Sequence, residues 1–228
     1  MKKFSVFDII GPVMIGPSSS HTAGAARLGK VARTICGDDV KKVTFLLHGS
    51  FAKTYQGHGT DKALVAGILG MDPADKNLRT SLEIAQKNGL IFEFVPTDLG
   101  EGYHPNTVKF LMETKNGTKC EVMGSSIGGG NIVINEVNGE IVDFTGQYPT
   151  LIVPHKDVPG SISAITAILY KENINVASLR VFRTEKGKSA TMIFEVDSNI
   201  SDKILEEIKS VEAVDNIIMI RPESKEVQ

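Results

Sequence analysis

The sequence predicts an α+β protein, and three observations carry that prediction. The Asn-Gly pairs at 116–117 and 138–139 each separate two runs rich in β-branched residues, which is the strongest local signal for a β-hairpin. Apolar side chains over residues 23–36 recur at the three- and four-residue spacing of an amphipathic helix. After residue 150 the predicted elements follow the order β-α-β-β-α-β. The chain thus mixes helices with mainly antiparallel strands.

A change of pattern divides the chain into two predicted domains. The stretch Thr145-Gly146-Gln147-Tyr148-Pro149 is rich in turn residues, and the apolar run of residues 151–153 follows it. We therefore expect a mixed α/β domain at 1–145, a second domain at 150–222 and a polar tail at 223–228. A chain of 228 residues, 41% of them hydrophobic, is long enough for two such domains.

In the first domain each element follows from a local signal. Buried-type residues at helical spacing indicate helices, β-branched runs indicate strands, and glycine-rich stretches indicate loops. In chain order these signals predict a helix through Leu28, Val31, Ala32 and Ile35, a strand at 43–47, a loop at 49–59, a helix capped by Thr60, a helix at 78–88, a strand at 91–95, and hairpin strands at 108–112, 120–122, 132–134 and 141–144.

The second domain shows the split β-α-β-β-α-β order of ferredoxin-like folds. Asp157 and Pro159-Gly160 suit a helix start, and Lys186-Gly187-Lys188 suits a turn between neighbouring strands. The predicted strands cover 151–154, 176–183, 189–197 and 214–221, and the predicted helices cover about 160–171 and 201–210.

The charge pattern argues against two classes of partner. The formal net charge is −2 with both signs interspersed, so the sequence offers no basic surface for nucleic acid and no polybasic segment for a membrane. The apolar run after Lys3 is interrupted by Asp8 and two proline-containing turns, short of the length of a signal or a membrane span. We expect a cytoplasmic protein.

The segment Ser18-Ser19-Ser20-His21-Thr22 is the strongest candidate for a functional site. Three hydroxyls and an imidazole sit where a proline-containing loop becomes a helix, and one of the three serines is expected to be the N-cap. Free backbone N–H groups and the helix dipole favour a carboxylate or phosphate there by roughly 0.3–1 kcal/mol. A histidine beside such a site can act as a base. The alternative is an ordinary capping loop with a surface histidine.

Two further loops carry candidate ligands for the same substrate. Thr60 and Asp61 follow the glycine-rich segment 57–59, and His104 and Asn106 flank a proline. Simple helix capping is the alternative for Thr60 and Asp61. The run of glycines at 128–130 either forms an anion-binding nest or a flexible strand entry, and it does not fit a dinucleotide fingerprint. His48, His58 and His155 lack ligand spacing, so we expect no metal site built by this chain alone.

The motifs together closely resemble those of the β chain of iron-sulfur-dependent L-serine dehydratases. The resemblance rests on residues 5–29, on GSFAKTYQGHGTDKALVAGILG from Gly49 to Gly70, on the loop at 104–107 and on GSSIGGGN from Gly124 to Asn131, in that order. It implies a lyase subunit for L-serine with a cysteine-bearing α chain as partner. The overall reaction implied is conversion of L-serine to pyruvate and ammonia, in amino-acid catabolism and gluconeogenesis.

The resemblance also implies a cofactor that this chain cannot hold by itself. Its only two cysteines, Cys36 and Cys120, lie far apart in the sequence without CxxC spacing, and two thiols cannot ligate a [4Fe-4S] cluster. The α chain would supply the cluster, while His21 removes the substrate's α-proton and Ser18 to Thr22 orient it. Cys36 and Cys120 themselves are expected to be small buried hydrophobes.

An alternative function comes from a second resemblance. The first domain is also similar to the allosteric substrate-binding domain of some phosphoglycerate dehydrogenases, in which case the chain is a serine-binding regulatory subunit and His21 contacts an effector. The second domain resembles an ACT domain, a small amino-acid-sensing module that self-associates. That likeness implies an effector site at Asp157, Gly160 and Asn175, or a domain that serves dimerisation alone.

Overall fold

We analysed a computed structural model that describes residues 13–37 and 39–222, with the side chain of residue 184 left out. The chain divides into two compact units, Met1–Thr145 and Gly146–Gln228. The expected polar tail at 223–228 and residues 5–12 of the N-terminal motif lie outside the described residues. Mixed helices and two separate sheets confirm the predicted α+β class.

The first unit is built on a six-stranded sheet in the order β2-β1-β3-β4-β5-β6. The first two strands are parallel and every other neighbouring pair is antiparallel. Both Asn-Gly turns occur where they were predicted, and Asn138 adopts the left-handed conformation (φ 51°) that such turns require. The strands are β1 Val40–Leu47, β2 Ile91–Pro96, β3 Thr107–Thr114, β4 Lys119–Gly128, β5 Asn131–Val137 and β6 Glu140–Phe144.

Helices cover the inner face of this sheet. The first helix follows a π-helical turn, Ser19–Gly24, and the fourth follows a 3₁₀ turn, Lys76–Thr80. Within the described residues, no helix combines the length and the apolar character needed to cross a bilayer. The helices are α1 Ala25–Cys36, α2 Gly49–Thr54, α3 Thr60–Ile68 and α4 Ser81–Lys87.

Small residues let α1 approach its neighbours closely. A methyl group on Gly29 would lie 2.5 Å from the carbonyl oxygen of Leu64 in α3, and one on Gly124 of β4 would lie 2.6 Å from Leu28 Cδ2. Real side chains do not tolerate such distances, so these glycines set the spacing of the layers. The start of α1 is thereby held against both β4 and α3, and the predicted site lies at that start.

The second unit has the predicted β-α-β-β-α-β order and an antiparallel sheet in the order β10-β7-β9-β8. Its core combines Leu151 and Phe194 from the sheet with Ile165 and Ile208 from the two helices, all at most 1% exposed. The elements are β7 Thr150–Lys156, α5 Ser161–Lys171, β8 Val176–Glu185, β9 Ser189–Val196, α6 Asp202–Lys209 and β10 Ile218–Ile220.

Two expected elements of the first unit differ from the structure. Residues 49–54 form the helix α2 rather than part of a loop, because the N–H groups of Ser50 and Phe51 both donate to Pro105 O (2.7 and 3.3 Å) and Phe51 is fully buried. These contacts come from a distant loop, which local sequence does not reveal. The helix expected at 78–88 begins later, at Ser81.

Two expectations about element ends were also wrong. The strand expected at 214–221 shortens to β10, because the N–H groups of Asp215 and Asn216 both turn to Pro154 O (3.0 and 3.4 Å) and interrupt the ladder. The N-cap of α3 is Gly59 (φ 71°), and Thr60 is the first helical residue. The left-handed conformation, which glycine adopts freely, therefore starts this helix in place of a threonine cap.

Candidate active site

Ser18 starts the helix that carries the candidate site. Its backbone is extended (φ −141°, ψ 125°), and its Oγ accepts a hydrogen bond from the His21 N–H (3.2 Å). Of the three serines, Ser18 is therefore the N-cap. Ser19 and Ser20 belong to the π-helical turn and are half-buried. Such wide turns are uncommon and frequently occur at functional sites.

Two serine hydroxyls flank the imidazole of His21. Nδ1 lies 3.4 Å from Ser18 Oγ and Nε2 lies 3.2 Å from Ser50 Oγ, at the start of α2. Burial lowers the pKa of His21, and the neighbouring charge of His58 lowers it further. A lowered pKa favours the neutral ring, in which one nitrogen carries a lone pair. A neutral, oriented imidazole can take a proton from a substrate.

Two aromatic rings enclose the same histidine. Phe51 packs edge to face against His21 with centroids 5.2 Å apart, and His58 does so at 4.8 Å. Phe51 is fully buried, whereas His58 is exposed. One side of the site is thus apolar and the other carries a second titratable ring open to solvent.

The loop expected to reach this site does approach it. Pro105 O accepts from the backbone of Ser50, while Asn106 O accepts from Ser126 N–H (3.0 Å). The Asn106 side chain lies at the limit of hydrogen bonding from Ser126 O (3.5 Å), and His104 Nδ1 accepts from the Asn106 N–H (3.2 Å). The loop is thereby tied to both α2 and β4, with the exposed imidazole of His104 at its tip.

Three buried hydroxyls around the first helical turn have no hydrogen-bond partner among the described residues: Thr22 Oγ1, Thr60 Oγ1 and Ser126 Oγ. Leaving such a group unpaired costs about 1–3 kcal/mol. Ser126 lies directly beneath Gly24, since a methyl group there would collide with its Oγ. Thr60 thus does not act as a cap, and all three hydroxyls are available to ordered water or a ligand.

Asp61 stabilises the first turn of α3 without being its N-cap, which is Gly59. Its Oδ1 accepts from the Lys62 N–H (2.8 Å) within the first turn of α3. Burial raises the pKa of its carboxyl above the usual value, against the opposing effects of the Lys62 amide and ammonium. A structural role in the helix start therefore describes Asp61 better than it describes Thr60.

The thiols of this chain do not fit an iron-sulfur cluster. Cys36 is half-buried rather than buried, whereas Cys120 is buried as expected. No group of three or more histidine, cysteine, aspartate or glutamate side chains in residues 13–37 and 39–222 could hold a metal ion. Two thiols fall short of the four that such a cluster takes.

The predicted effector residues of the second unit separate into two places. Asp157 and Gly160 line an open cavity of about 640 Å³ together with Arg183 and the start of α5. Asp157 Oδ2 accepts from Gly187 N–H and pairs with Arg183 Nε, both at 2.7 Å. The Gly187 amide and then Arg183 lower the pKa of Asp157. Asn175 instead donates to Asp197 Oδ2 (2.6 Å).

Comparison with known proteins decides the family. The model of the serine dehydratase beta chain matches residues 5–92, and the ACT domain model matches residues 150–213. The probable L-serine dehydratase beta chain of Bacillus subtilis (strain 168) is 46% identical over 96% of this chain and 98% of its own length. This chain belongs to the L-serine dehydratase beta-chain family.

Two more relatives complete the comparison of this beta chain. The L-serine dehydratase beta chain of Peptoniphilus asaccharolyticus is 42% identical over 93% of this chain and 96% of its own length. The D-3-phosphoglycerate dehydrogenase of Methanocaldococcus jannaschii is 26% identical over 90% of this chain but only 38% of its own length. The resemblances to serine dehydratase beta chains and to ACT domains are thereby confirmed.

Two residues that contact the His21 ring, Ser50 and Phe51, were not predicted from the sequence. Ser50 and Phe51 fall in the loop predicted at 49–59, where the sequence gives them no role. A serine at a helix start followed by a phenylalanine is a weak signal by itself. The contact of both residues with the loop at Pro105 is what positions them.

Proposed function

We propose that this beta chain completes the active site of an L-serine ammonia-lyase, which converts L-serine to pyruvate and ammonia by β-elimination of water. The observation that supports the proposal is the imidazole of His21, held between the hydroxyls of Ser18 and Ser50, with burial lowering its pKa. The two beta chains named above supply the substrate class.

In this proposal His21 removes the α-proton of serine. Ser50 keeps the ring oriented, and the hydroxyls of Ser19, Ser20 and Thr22 with the N–H groups of the first turn bind the substrate carboxylate. Thr60 and the loop carrying His104 and Asn106 close the other side. Loss of hydroxide gives aminoacrylate, which tautomerises and is hydrolysed to pyruvate and ammonia. Asp61 contributes by ordering the start of α3 rather than by contacting substrate.

The departing hydroxyl needs an electrophile, and the two thiols of this chain are too few to hold a [4Fe-4S] cluster. We propose an α chain whose cysteines ligate a [4Fe-4S] cluster, and such a cluster would supply a Lewis acid for the departing hydroxyl. The assembled enzyme would act in the cytoplasm, in amino-acid catabolism that feeds gluconeogenesis. The second unit would self-associate and bind serine as an effector at the cavity beside Asp157 and Gly160.

The experiment is a reconstitution of the beta chain with its α partner, followed by pyruvate formation from serine. His21→Ala should lower kcat by about 10²–10⁴-fold if His21 is the base. His58→Ala is the matched control, because it removes an imidazole from the same cluster but leaves Ser18 and Ser50 on His21. If kcat stays near normal in His21→Ala and falls about 10²–10⁴-fold in His58→Ala, then His58 rather than His21 is the base.

A regulatory subunit remains the competing proposal, and the relationship to a D-3-phosphoglycerate dehydrogenase favours it. In that case the reaction occurs wholly on the partner and His21 contacts a bound effector. His21→Ala would then change serine affinity or cooperativity while saturated turnover stayed near normal. The two proposals therefore predict different effects of His21→Ala. A catalytic role predicts a lower kcat, and a regulatory role predicts a changed serine concentration at half-saturation.

A further inference from the structure

A bulge in β5 directs an asparagine side chain toward two buried hydroxyls. The ladder between β4 and β5 skips Asn135, because its neighbours Ile134 and Glu136 pair with consecutive residues of β4, and the ladder between β5 and β6 skips it as well. An extra residue of this kind bends the strand and turns a side chain in a new direction. The Oδ1 of Asn135 lies 2.8 Å from the Oγ of Ser125 in β4.

Ser125 and Thr107 lie on the face of the sheet opposite to α1. Gly124 and Ser126 face the start of α1, so Ser125 between them points to the other face. Thr107 is the partner of Ser125 in the ladder between β3 and β4. Ser125 is 3% exposed and Thr107 is fully buried. Their hydroxyl oxygens lie 2.7 Å apart, and Thr107 Oγ1 lies 2.6 Å from the carbonyl oxygen of His104.

These groups make three close contacts but hold only two hydroxyl protons. All three distances are those of hydrogen bonds, so each contact needs one proton between its two atoms. A hydroxyl carries one proton and a carbonyl oxygen carries none. Thr107 must therefore donate to His104 O, and the proton of Ser125 is needed for the contact with Thr107. No proton is left for the third contact if the amide oxygen of Asn135 faces Ser125.

We propose that Asn135 presents its Nδ2–H to Ser125 and thereby acts as the donor that completes this hydrogen-bond network. A carboxamide has nearly the same shape with its oxygen and nitrogen exchanged, so the exchange keeps the contact and supplies the missing proton. The network then runs in one direction, from Asn135 through Ser125 and Thr107 to the carbonyl oxygen of His104. Asn135 is a positioning residue for the loop at its far end.

The network ends on the loop that holds α2. The carbonyl oxygen of Pro105, next to His104, accepts from the N–H of Ser50 (2.7 Å), and Ser50 Oγ lies 3.2 Å from His21 Nε2. Holding the His104 carbonyl therefore holds the neighbouring carbonyl that anchors the start of α2. The network itself is independent of the reaction, whereas its effect on turnover rests on the proposed function.

The direction of the network is tested on the full beta chain by NMR, through the exchange of side-chain amide protons with water. Asn116 is the matched comparison, because its Oδ1 accepts from the Thr118 N–H (3.1 Å) in an exposed turn. One Nδ2 proton of Asn135 should exchange about tenfold or more slowly than those of Asn116. Ser125→Ala removes the acceptor and should abolish the difference. Equal exchange in the unmodified chain, or slow exchange that persists in Ser125→Ala, would overturn the proposal.

Matched aspartate variants test the need for a donor. Asn135→Asp keeps the shape of the side chain but offers only acceptors, so two protons again serve three contacts and one contact must break. The backbone N–H of Ser50 should then exchange with D₂O about tenfold faster. Asn116→Asp is the control, because a carboxylate accepts from the Thr118 N–H as the amide oxygen does. Circular dichroism checks that both variants fold, and an unchanged rate at Ser50 in Asn135→Asp contradicts the proposal.

Turnover of serine by the beta chain reconstituted with its α partner is a separate readout. Asn135→Asp should lower kcat about tenfold through the loop and Ser50. Thr107→Val should cause a similar loss, and Thr107→Ser, which keeps the hydroxyl, should recover most of it. Unchanged kcat in Asn135→Asp would exclude the positioning role. If the unmodified proteins do not turn over serine, the proposed function fails, while the exchange measurements still decide the hydrogen-bond network.

Discussion

The imidazole rings of His21 and His58 lie edge to face with their centroids 4.8 Å apart. A proton on one ring disfavours a proton on the other, because like charges repel at that distance. Burial is nevertheless the larger cause of the lowered pKa of His21, and the charge of His58 comes second. The exposed ring of His58 therefore adjusts the pKa of His21, which is lowered mainly by burial.

Removing His58 should raise the pKa of His21 without restoring its ordinary value. His58→Ala abolishes the repulsion but leaves the burial by Phe51 and α2. Titration of the histidine ring signals by NMR measures both values. His104→Ala is the control, because His104 is exposed and hydrogen-bonds within its own loop. An unchanged pKa of His21 in His58→Ala would show that the two rings are not coupled.

The pH dependence of turnover follows from the same lowered pKa. If His21 is the base, kcat/KM falls as pH drops through the pKa of His21, below the ordinary histidine value of about 6.5. His58→Ala should move this acid limb to higher pH, since the folded pKa of His21 rises. Profiles of the reconstituted enzyme and the variant measure the limb directly. A limb at or above the ordinary histidine value contradicts the assignment of His21 as the base.

Ser50 should matter to turnover through the orientation of His21. Ser50→Ala removes the partner of Nε2, and the loss of one such hydrogen bond is expected to lower kcat about tenfold. Ser50→Thr keeps a hydroxyl and is the matched control. The backbone of α2 stays anchored in both variants, because its N–H bond to Pro105 O does not use the side chain. Equal turnover in the alanine and threonine variants would exclude a positioning role.

Gly24 should be essential to the packing of the first turn on β4. Its backbone is helical (φ −62°, ψ −41°), so alanine suits the conformation but places a methyl group against Ser126 Oγ. Gly24→Ala is expected to lower the free energy of unfolding by about 1–3 kcal/mol. Urea unfolding measures this loss, and Ser126→Gly in the same chain should recover part of it. Additive losses in the double variant would show that the two residues do not collide.

The cavity of the second unit gives a prediction about serine binding. Asp157→Asn weakens the pairing with Arg183 and removes the negative charge at the cavity, so effector binding there should weaken about tenfold. Calorimetric titration of the full chain with serine measures the affinity. Asn175→Ala is the control, because Asn175 is engaged with Asp197. Identical heats in all three proteins would show that serine does not bind at this cavity.

Much of the fold was predictable because its signals are local. Both Asn-Gly hairpins, the helix after Ser18 and the β-α-β-β-α-β order of the second unit occur as expected. The failures share one cause. Helix α2 is stabilised by Pro105, and the segment just before the last strand is bent toward Pro154 O, so both depend on residues remote in sequence.

The same distinction between local and remote contacts decides which residues of the candidate site were predictable. The Ser18 cap and the histidine three residues later lie on one helical turn, so spacing alone places them together. The sequence also showed that this chain alone has too few cysteines to ligate a [4Fe-4S] cluster, and a cluster held by an α partner stays a prediction. Only the tertiary structure decided that Ser50 and His58 flank His21. Those contacts depend on how closely α1 packs on its neighbours. That distance is set by glycines far apart in the sequence, Gly29 against α3 and Gly124 against Leu28.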